Sequence, residues 1–347
     1  MSRAAGLLAC LCALLLAAPA QAIVGGTPAK RSEFPFFAVV GSGCGGALVA
    51  PDRVLTAAHC TEALNASDVV RVGPRAVRRT VRLRAINPLH FRELQKMERE
   101  FPPPAADLML LALDRPVRGV PLARIASPAE ALTAPGTAVT AIGRGAASAE
   151  GGGEGVFRRG TVGIQPASAC REELYTALLR RWSLCTRDPR MADPSYPGPF
   201  VSACFGDSGS PLLASGPSGV RLVGVVSWGP RCGEERDPEI YANAVTGRGF
   251  ALAANPVWAP QAVGEPRITG APRVGATVTC AVRWLVKPTR ELSYSFVLDG
   301  KQVQDARRPT YLLRPGDRGK RLSCGAGGAT AGGRGGPTGL APDRLVR

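Results

Sequence analysis

One serine of this 347-residue chain sits in Gly206-Asp207-Ser208-Gly209-Ser210-Pro211, a glycine-flanked turn that would present its hydroxyl on a tight bend. A serine hydroxyl is a weak nucleophile unless a base lies within hydrogen-bond reach, and the chain holds only two histidines. One of them, His59, lies in Thr56-Ala57-Ala58-His59-Cys60. Asp107 stands at the mouth of Leu108-Met109-Leu110-Leu111-Ala112-Leu113, an apolar run that reads as a buried strand. A carboxylate there is costly unless it has a partner. Histidine, aspartate and serine are the residue types of nucleophilic acyl transfer: a hydroxyl that attacks, an imidazole that takes its proton, and a carboxylate that holds the imidazole. Alone, the hexapeptide is equally a loop between strands; the other two segments make it a candidate for chemistry. His90 opens the polar, then proline-rich stretch from His90 to Pro104, which reads as a surface loop, so it is expected to be a solvated histidine and not a second base.

A fourth segment, Ile23-Val24-Gly25-Gly26, precedes the other three. Four motifs in this order resemble the trypsin/chymotrypsin family of serine endopeptidases, over roughly Ile23 to Trp258. The resemblance implies a fold of two antiparallel six-stranded β-barrels with the active site between them. It implies Ser208 as nucleophile, His59 as base and then acid, and Asp107 as the group that fixes the imidazole tautomer. The backbone N–H groups of Gly206 and Ser208 would form the oxyanion hole, and Asp207 would pair with a free α-amino group on Ile23. Three disulfides follow by the same implication: Cys44–Cys60, Cys170–Cys185 and Cys204–Cys232. That leaves Cys280 and Cys324 for each other. A metal site is the competing reading of eight cysteines, but two histidines and no Cys-x-x-Cys make a poor ligand set.

Specificity would rest on Ser202, at the pocket base where a trypsin carries aspartate, and on Glu239, which takes the place of a glycine in Pro238-Glu239-Ile240-Tyr241. Phe205 and Ser227-Trp228-Gly229 complete the expected substrate contacts, with Gly229 leaving the entrance open. A neutral base and a wall carboxylate would accept lysine or arginine by charge, or an aromatic side chain with the acid turned aside. Glu239 displaced by a shifted loop, and merely solvated, is the alternative. Ser210 and Arg144 depart from the glycine and tryptophan common at their positions, and Val69 to Arg79 lacks the paired acids that hold calcium in trypsins. No cofactor or metal is expected.

Residues 1–22 read as a signal peptide: Arg3, an apolar core from Leu7 to Ala18, and Ala20-Gln21-Ala22 as a small-residue cleavage site abutting Ile23. Export itself would then free the Ile23 amine; earlier signal cleavage followed by a second protease is the other route. The core is too short to span a bilayer, and no later segment replaces it. A secreted, extracellular, bacterial protein with no transmembrane segment is expected. Cysteines 10 and 12 leave with the signal, and the eight that remain suit an oxidising compartment.

The chain carries 43 Lys and Arg against 27 Asp and Glu, a formal net charge of +16. Of this excess, the stretch from Pro260 to Arg347 holds 15 basic and 6 acidic residues. Such a balance suits anionic envelope polymers, membrane surfaces or nucleic acid, or reflects genome composition, and no nucleic-acid motif accompanies it. Short strands between Gly and Pro turns, as at Phe36–Val40, Ala47–Val49, Leu108–Leu113, Ala138–Ile142 and Leu222–Trp228, support an all-β reading. Residues 259–267 read as a linker. From 268 to 347, alternating segments such as Val274–Cys280, Tyr294–Gly300 and Tyr311–Leu313 resemble an immunoglobulin-like β-sandwich of bacterial secreted proteins, with a Gly-rich end from Gly325 expected to fray. The expected partners are protein or peptide substrates. A protease-like scaffold that has lost hydrolysis and acts as a binding protein or adhesin is the alternative function.

Overall fold

The computed structural model describes residues 23–94, 105–146, 155–169, 181–229, 232–233, 238–337 and 339–347. The expected signal peptide and Cys170 lie outside the described residues. A short strand, β1 (Thr27–Pro28), lies on the edge of the second of two closed antiparallel barrels. The first barrel is formed by β2 (Phe37–Val40), β3 (Cys44–Ala50), β4 (Arg53–Thr56), β5 (Val69–Val72), β6 (Val77–Ile86) and β7 (Met109–Leu113), closing in the order β2-β3-β4-β7-β6-β5. The second is formed by β8 (Ala138–Gly143), β9 (Arg158–Gln165), β10 (Ser183–Arg187), β11 (Pro211–Gly216), β12 (Gly219–Trp228) and β13 (Glu239–Asn243). Its ring, β9-β10-β13-β12-β11-β8, closes through the β8–β9 pairing.

The apolar run beginning at Leu108 is fully buried, with Leu108, Met109, Leu110 and Leu111 at 0 % exposure, and so serves as a central wall of the first barrel. Each such side chain contributes about 1.5–3 kcal/mol by leaving water. Closure of each sheet on itself leaves no unpaired edge, which is how short strands of this composition form a stable core.

The C-terminal region is a further β unit. Strands β15 (Arg267–Thr269), β16 (Thr277–Ala281) and β20 (Thr310–Leu312) form one sheet. Strands β18 (Arg290–Leu298), β19 (Lys301–Ala306), β21 (Arg321–Thr330), β22 (Gly333–Gly335) and β23 (Arg344–Leu345) form another. The Cys280–Cys324 disulfide ties the two sheets together over a core of Ile268, Val278, Phe296, Tyr311 and Leu322.

Two sequence expectations change here. The Gly-rich end does not fray: β21 continues to Thr330, turns, and pairs Gly328 with Gly335. Residues 259–267 are not a free tether either, because β14 (Gln261–Ala262) pairs with β17 (Trp284–Val286) and both Ala259 and Ala262 are buried. The C-terminal unit in fact rests on the first barrel. Ile86 N–H donates to the Gly332 carbonyl at 2.8 Å, Ala259 N–H to the Arg84 carbonyl at 2.8 Å, and Thr330 Oγ1 to the Trp258 carbonyl at 2.7 Å. Glycine is what permits this approach, since a Cβ on Gly332 would lie 1.7 Å from the Val257 carbonyl oxygen.

Candidate active site

Antiparallel register brings the first two candidate residues together. Strand β4 pairs with β7 so that Thr56 faces Met109. Continuing past the pair, His59 lies three residues beyond Thr56 and Asp107 two residues before Met109, on the same rim of the barrel. His59 Nδ1 is 2.7 Å from Asp107 Oδ2, and the His59 backbone N–H donates to Oδ1 at 3.0 Å. Ser227 Oγ, from the end of β12 in the second barrel, donates to Oδ2 at 2.6 Å. The carboxylate is thus surrounded by donors from both barrels.

These contacts set the charge states. Burial favours the neutral acid, yet the His59 charge and hydrogen bond, with Ser227, hold Asp107 well below the usual carboxylate range. Burial equally disfavours the imidazolium of His59, and the Asp107 charge and hydrogen bond outweigh it, leaving His59 raised above its ordinary 6.5.

Ser208 is delivered by the second barrel just ahead of β11. Gly206 (φ +86°) and Gly209 (φ +79°) bend the chain on either side of it in a region that side chains rarely adopt. The turn is pinned across the cleft: Gly45 N–H, on β3, donates to the Ser208 carbonyl at 2.7 Å, and Gly209 N–H to the Val226 carbonyl at 2.9 Å. The Gly206 and Ser208 N–H groups donate to no group among the described residues. His59 and Ser208 line one cavity of about 520 Å³, together with Phe205, Ser227, Trp228, Gly229 and Glu239.

Asp207 is fully buried. Its carboxyl accepts Gly145 N–H at 2.8 Å and Cys204 N–H at 3.1 Å, with the Ile23 and Arg144 amides also bonded to it. Burial pushes it up to about 6, and those amides only partly offset this. Gly143 and Gly145 make room, for a Cβ on Gly143 would sit 1.9 Å from Asp207 Oδ1. Ile23 is itself wholly buried, and the segment after it is held by a Val24–Ser202 bridge and by pairing of β1 with β9.

Glu239 begins β13 and is 8 % exposed, not turned to solvent. Ser202 Oγ lies 2.5 Å from its Oε1, and Tyr241 OH donates to Oε2 at 3.0 Å. Burial pushes this carboxyl up to about 7, against the hydrogen bonds from Ser202 and Tyr241.

The Cys44–Cys60 disulfide ties the start of β3 to the residue that follows His59, and Cys204–Cys232 closes the pocket wall beside the Ser208 turn. The expected partner of Cys185, Cys170, falls outside the described residues. Ser210 is buried with its hydroxyl unpartnered among the described residues, and the small Gly45 accommodates it.

His90 departs from expectation. It is not a solvated loop residue but lies on a short helix (Pro88–Leu94), 3 % exposed, with Nε2 4.0 Å from Asp107 Oδ1. Residues 95–104 of the expected loop lie outside the described residues. Asn87 starts this helix, its side chain accepting Leu89 N–H at 3.0 Å, with Pro88 at the first position. That Asn-Pro start was the signal that would have placed His90 on a helix. Tyr241 was also missed; it is two residues from Glu239 on the same strand and therefore on the same face.

Two closed antiparallel barrels, with histidine and carboxylate from one and a serine turn from the other facing across a cleft, define the scaffold of a serine endopeptidase. The family model described as Trypsin matches residues 23–246. A trypsin of Saccharopolyspora erythraea is 31% identical over 228 residues, covering 63% of this chain and 92% of that protein. A trypsin-like protease of Streptomyces glaucescens is 29% identical over 231 residues, covering 65% and 79%. The human protein named serine protease 56 is 34% identical over 237 residues, but only 36% of its length is covered. The chain belongs to the trypsin family of serine endopeptidases.

Proposed function

We propose that this protein is a secreted endopeptidase that cleaves peptide bonds through Ser208, His59 and Asp107. The observation that carries the reading is the Asp107 carboxylate, buried and bonded to both the Nδ1 side and the backbone of His59, while His59 and Ser208 line one cavity. With Nδ1–H committed to Asp107, Nε2 is left as the base. Ser208 Oγ attacks the scissile carbonyl carbon as its proton passes to Nε2. The carbonyl electron pair moves to oxygen, where the Gly206 and Ser208 N–H groups receive it, each such donor being worth about 3 kcal/mol to the transition state. Collapse expels the amine, which takes the proton from His59, and water repeats the sequence on the acyl-enzyme.

Cleavage after Ala22 would turn the buried Ile23 amide into an ammonium group against Asp207. That charge would give the amide-bonded carboxylate a cationic partner and fix the adjoining Gly206 turn, so export and activation would coincide. The disulfides suit an oxidising compartment, and among the described residues no helix is long and apolar enough to cross a membrane. In the pocket, the Glu239 carboxylate supports a preference for a basic, or mixed basic and aromatic, side chain before the cut. The C-terminal unit we read as an immunoglobulin-like sandwich whose basic surface attracts anionic envelope polymers. Salt-sensitive retention on such material, with none after its removal, is the expected behaviour.

Hydrolysis of short chromogenic peptides by the secreted protein and its Ser208→Ala variant tests the reading. Activity lost in the variant supports it. Correctly processed protein without activity would favour a binding scaffold.

A further inference from the structure

The pocket floor contains a hydrogen-bond arrangement that the catalytic steps do not use. Ser202 Oγ is 2.5 Å from Glu239 Oε1 and 3.0 Å from the carbonyl oxygen of Ala203. Tyr241 OH meets the other carboxylate oxygen at 3.0 Å. We propose that Glu239 and Ser202 form a two-state proton selector, which presents a negative pocket to basic side chains in one state and a neutral pocket to aromatic ones in the other. The inference rests on the endopeptidase reading above and adds what sets its substrate class.

The geometry accommodates both states without orphaning a group. With Glu239 ionised, the Ser202 and Tyr241 hydroxyls and the Ala203 backbone N–H all donate to it. With Glu239 protonated, Oε1–H donates to Ser202 Oγ, the serine hydroxyl turns to the Ala203 carbonyl, and Tyr241 still donates to Oε2. A hydroxyl can donate once and accept as well, so the same heavy atoms satisfy either proton count. An unsatisfied buried group would otherwise fix one state by a penalty of about 1–3 kcal/mol.

The surroundings leave the choice close. Among the described residues, two titratable groups face Glu239: Tyr241 on its own strand and the like-charged Asp207 from the Ser208 turn. From β10, uncharged Thr186 lies opposite in register, and from the β12 side Gly229 approaches so closely that a Cβ there would lie 3.5 Å from Glu239 Cγ. No lysine or arginine among the described residues forms an ion pair with Glu239. Burial therefore favours the neutral acid, opposed by three donors, the Ser202 and Tyr241 hydroxyls and the Ala203 backbone N–H, and the carboxyl is pushed up to about 7. A guanidinium or ammonium entering the pocket would supply the missing cation and favour the ionised state; an aromatic ring would favour the neutral one. By reciprocity, pH must then change the ranking of the two substrates.

The experiment compares kcat/KM for two peptides identical except for Arg or Phe before the cut, from about pH 5.5 to about pH 8.5, where the ratio cancels the titration of His59 common to both. The expected ratio of Arg to Phe rises by up to about tenfold per pH unit through the titration of Glu239, and flattens at either end only where each peptide is cleaved through its less favoured state. Glu239→Gln should give a flat ratio shifted toward Phe. Ser202→Ala, which removes a donor to the ionised acid, should retain a titrating ratio but move its midpoint upward, a shift that a packing role alone would not produce. A pH-independent ratio in the unaltered enzyme, or one that titrates unchanged in Glu239→Gln, would overturn the proposal. Failure to cleave either peptide would overturn the endopeptidase reading as well, so the two failures are distinguishable.

Discussion

Replacing Asp107 with asparagine tests the tautomer argument at its most exposed point, because every neighbour of that carboxylate is a donor. Oδ1 receives the His59 backbone N–H at 3.0 Å; Oδ2 receives Ser227 Oγ at 2.6 Å and faces His59 Nδ1 at 2.7 Å. Asparagine has one oxygen to offer. If that oxygen takes the fixed backbone N–H, the amide NH₂ faces Nδ1, which must then accept, and the proton moves to Nε2 where the base is needed. If the amide is flipped, two donors meet at the backbone and the NH₂ opposes His59 N–H, leaving a buried orphan at a cost of about 1–3 kcal/mol. The first arrangement is therefore preferred, and it holds the wrong tautomer. Comparable substitutions lower kcat by about 10⁴, equivalent to about 5 kcal/mol of transition-state stabilisation. Steady-state hydrolysis of a chromogenic peptide, with thermal unfolding to show that the fold persists, measures it. A folded variant within tenfold of the parent would refute the reasoning.

Because Asp107 raises His59 above its ordinary 6.5, and catalysis needs the neutral imidazole, the acid limb of kcat/KM should lie above 6.5. The same raised value stabilises the fold at low pH and ceases to do so as the pH rises through it; an acid limb below 6.5 would contradict both statements. His90→Ala should empty a buried site beside Asp107 and cost about 2–4 kcal/mol of stability, seen as a lower Tm together with a reduced kcat. An unchanged Tm would mean that the ring supports nothing. Removing the residues after Trp258 should also lower the Tm, because it strips the Gly332 carbonyl from Ile86 N–H, the Ala259 amide from the Arg84 carbonyl, and Arg290 from the face of Phe91. Equal unfolding temperatures for the full and shortened chains would show that the C-terminal unit is only tethered.

Much of the site was legible because its chemistry resides in short segments. The buried run after Asp107 implied a partnered acid, and the β4–β7 register supplies that partner. Strands expected at Ala138–Ile142 and Leu222–Trp228 appear as Ala138–Gly143 and Gly219–Trp228, extended at their ends by pairing that no local pattern reveals. His90 was misplaced because polarity and nearby prolines outweighed the Asn87-Pro88 helix start. The glycine tail was misjudged because composition suggests chain freedom, whereas Gly332 and Gly335 serve close approach: a Cβ on Gly335 would lie 2.0 Å from the Pro260 carbonyl oxygen. Glu239 was read as a wall carboxylate from its position, but the hydrogen bonds that hold it were not, since Ser202 comes from a separate segment and Tyr241 from two residues along the same strand.

The central claim is that Ser208 is a nucleophile activated by His59, and covalent labelling tests it most directly. Mass spectrometry of the processed protein after treatment with a serine-directed organophosphorus reagent should find one adduct, on Ser208, absent from Ser208→Ala and slowed by orders of magnitude in His59→Ala. A folded, correctly processed protein that remains unlabelled, or that is labelled equally well without His59, would contradict it.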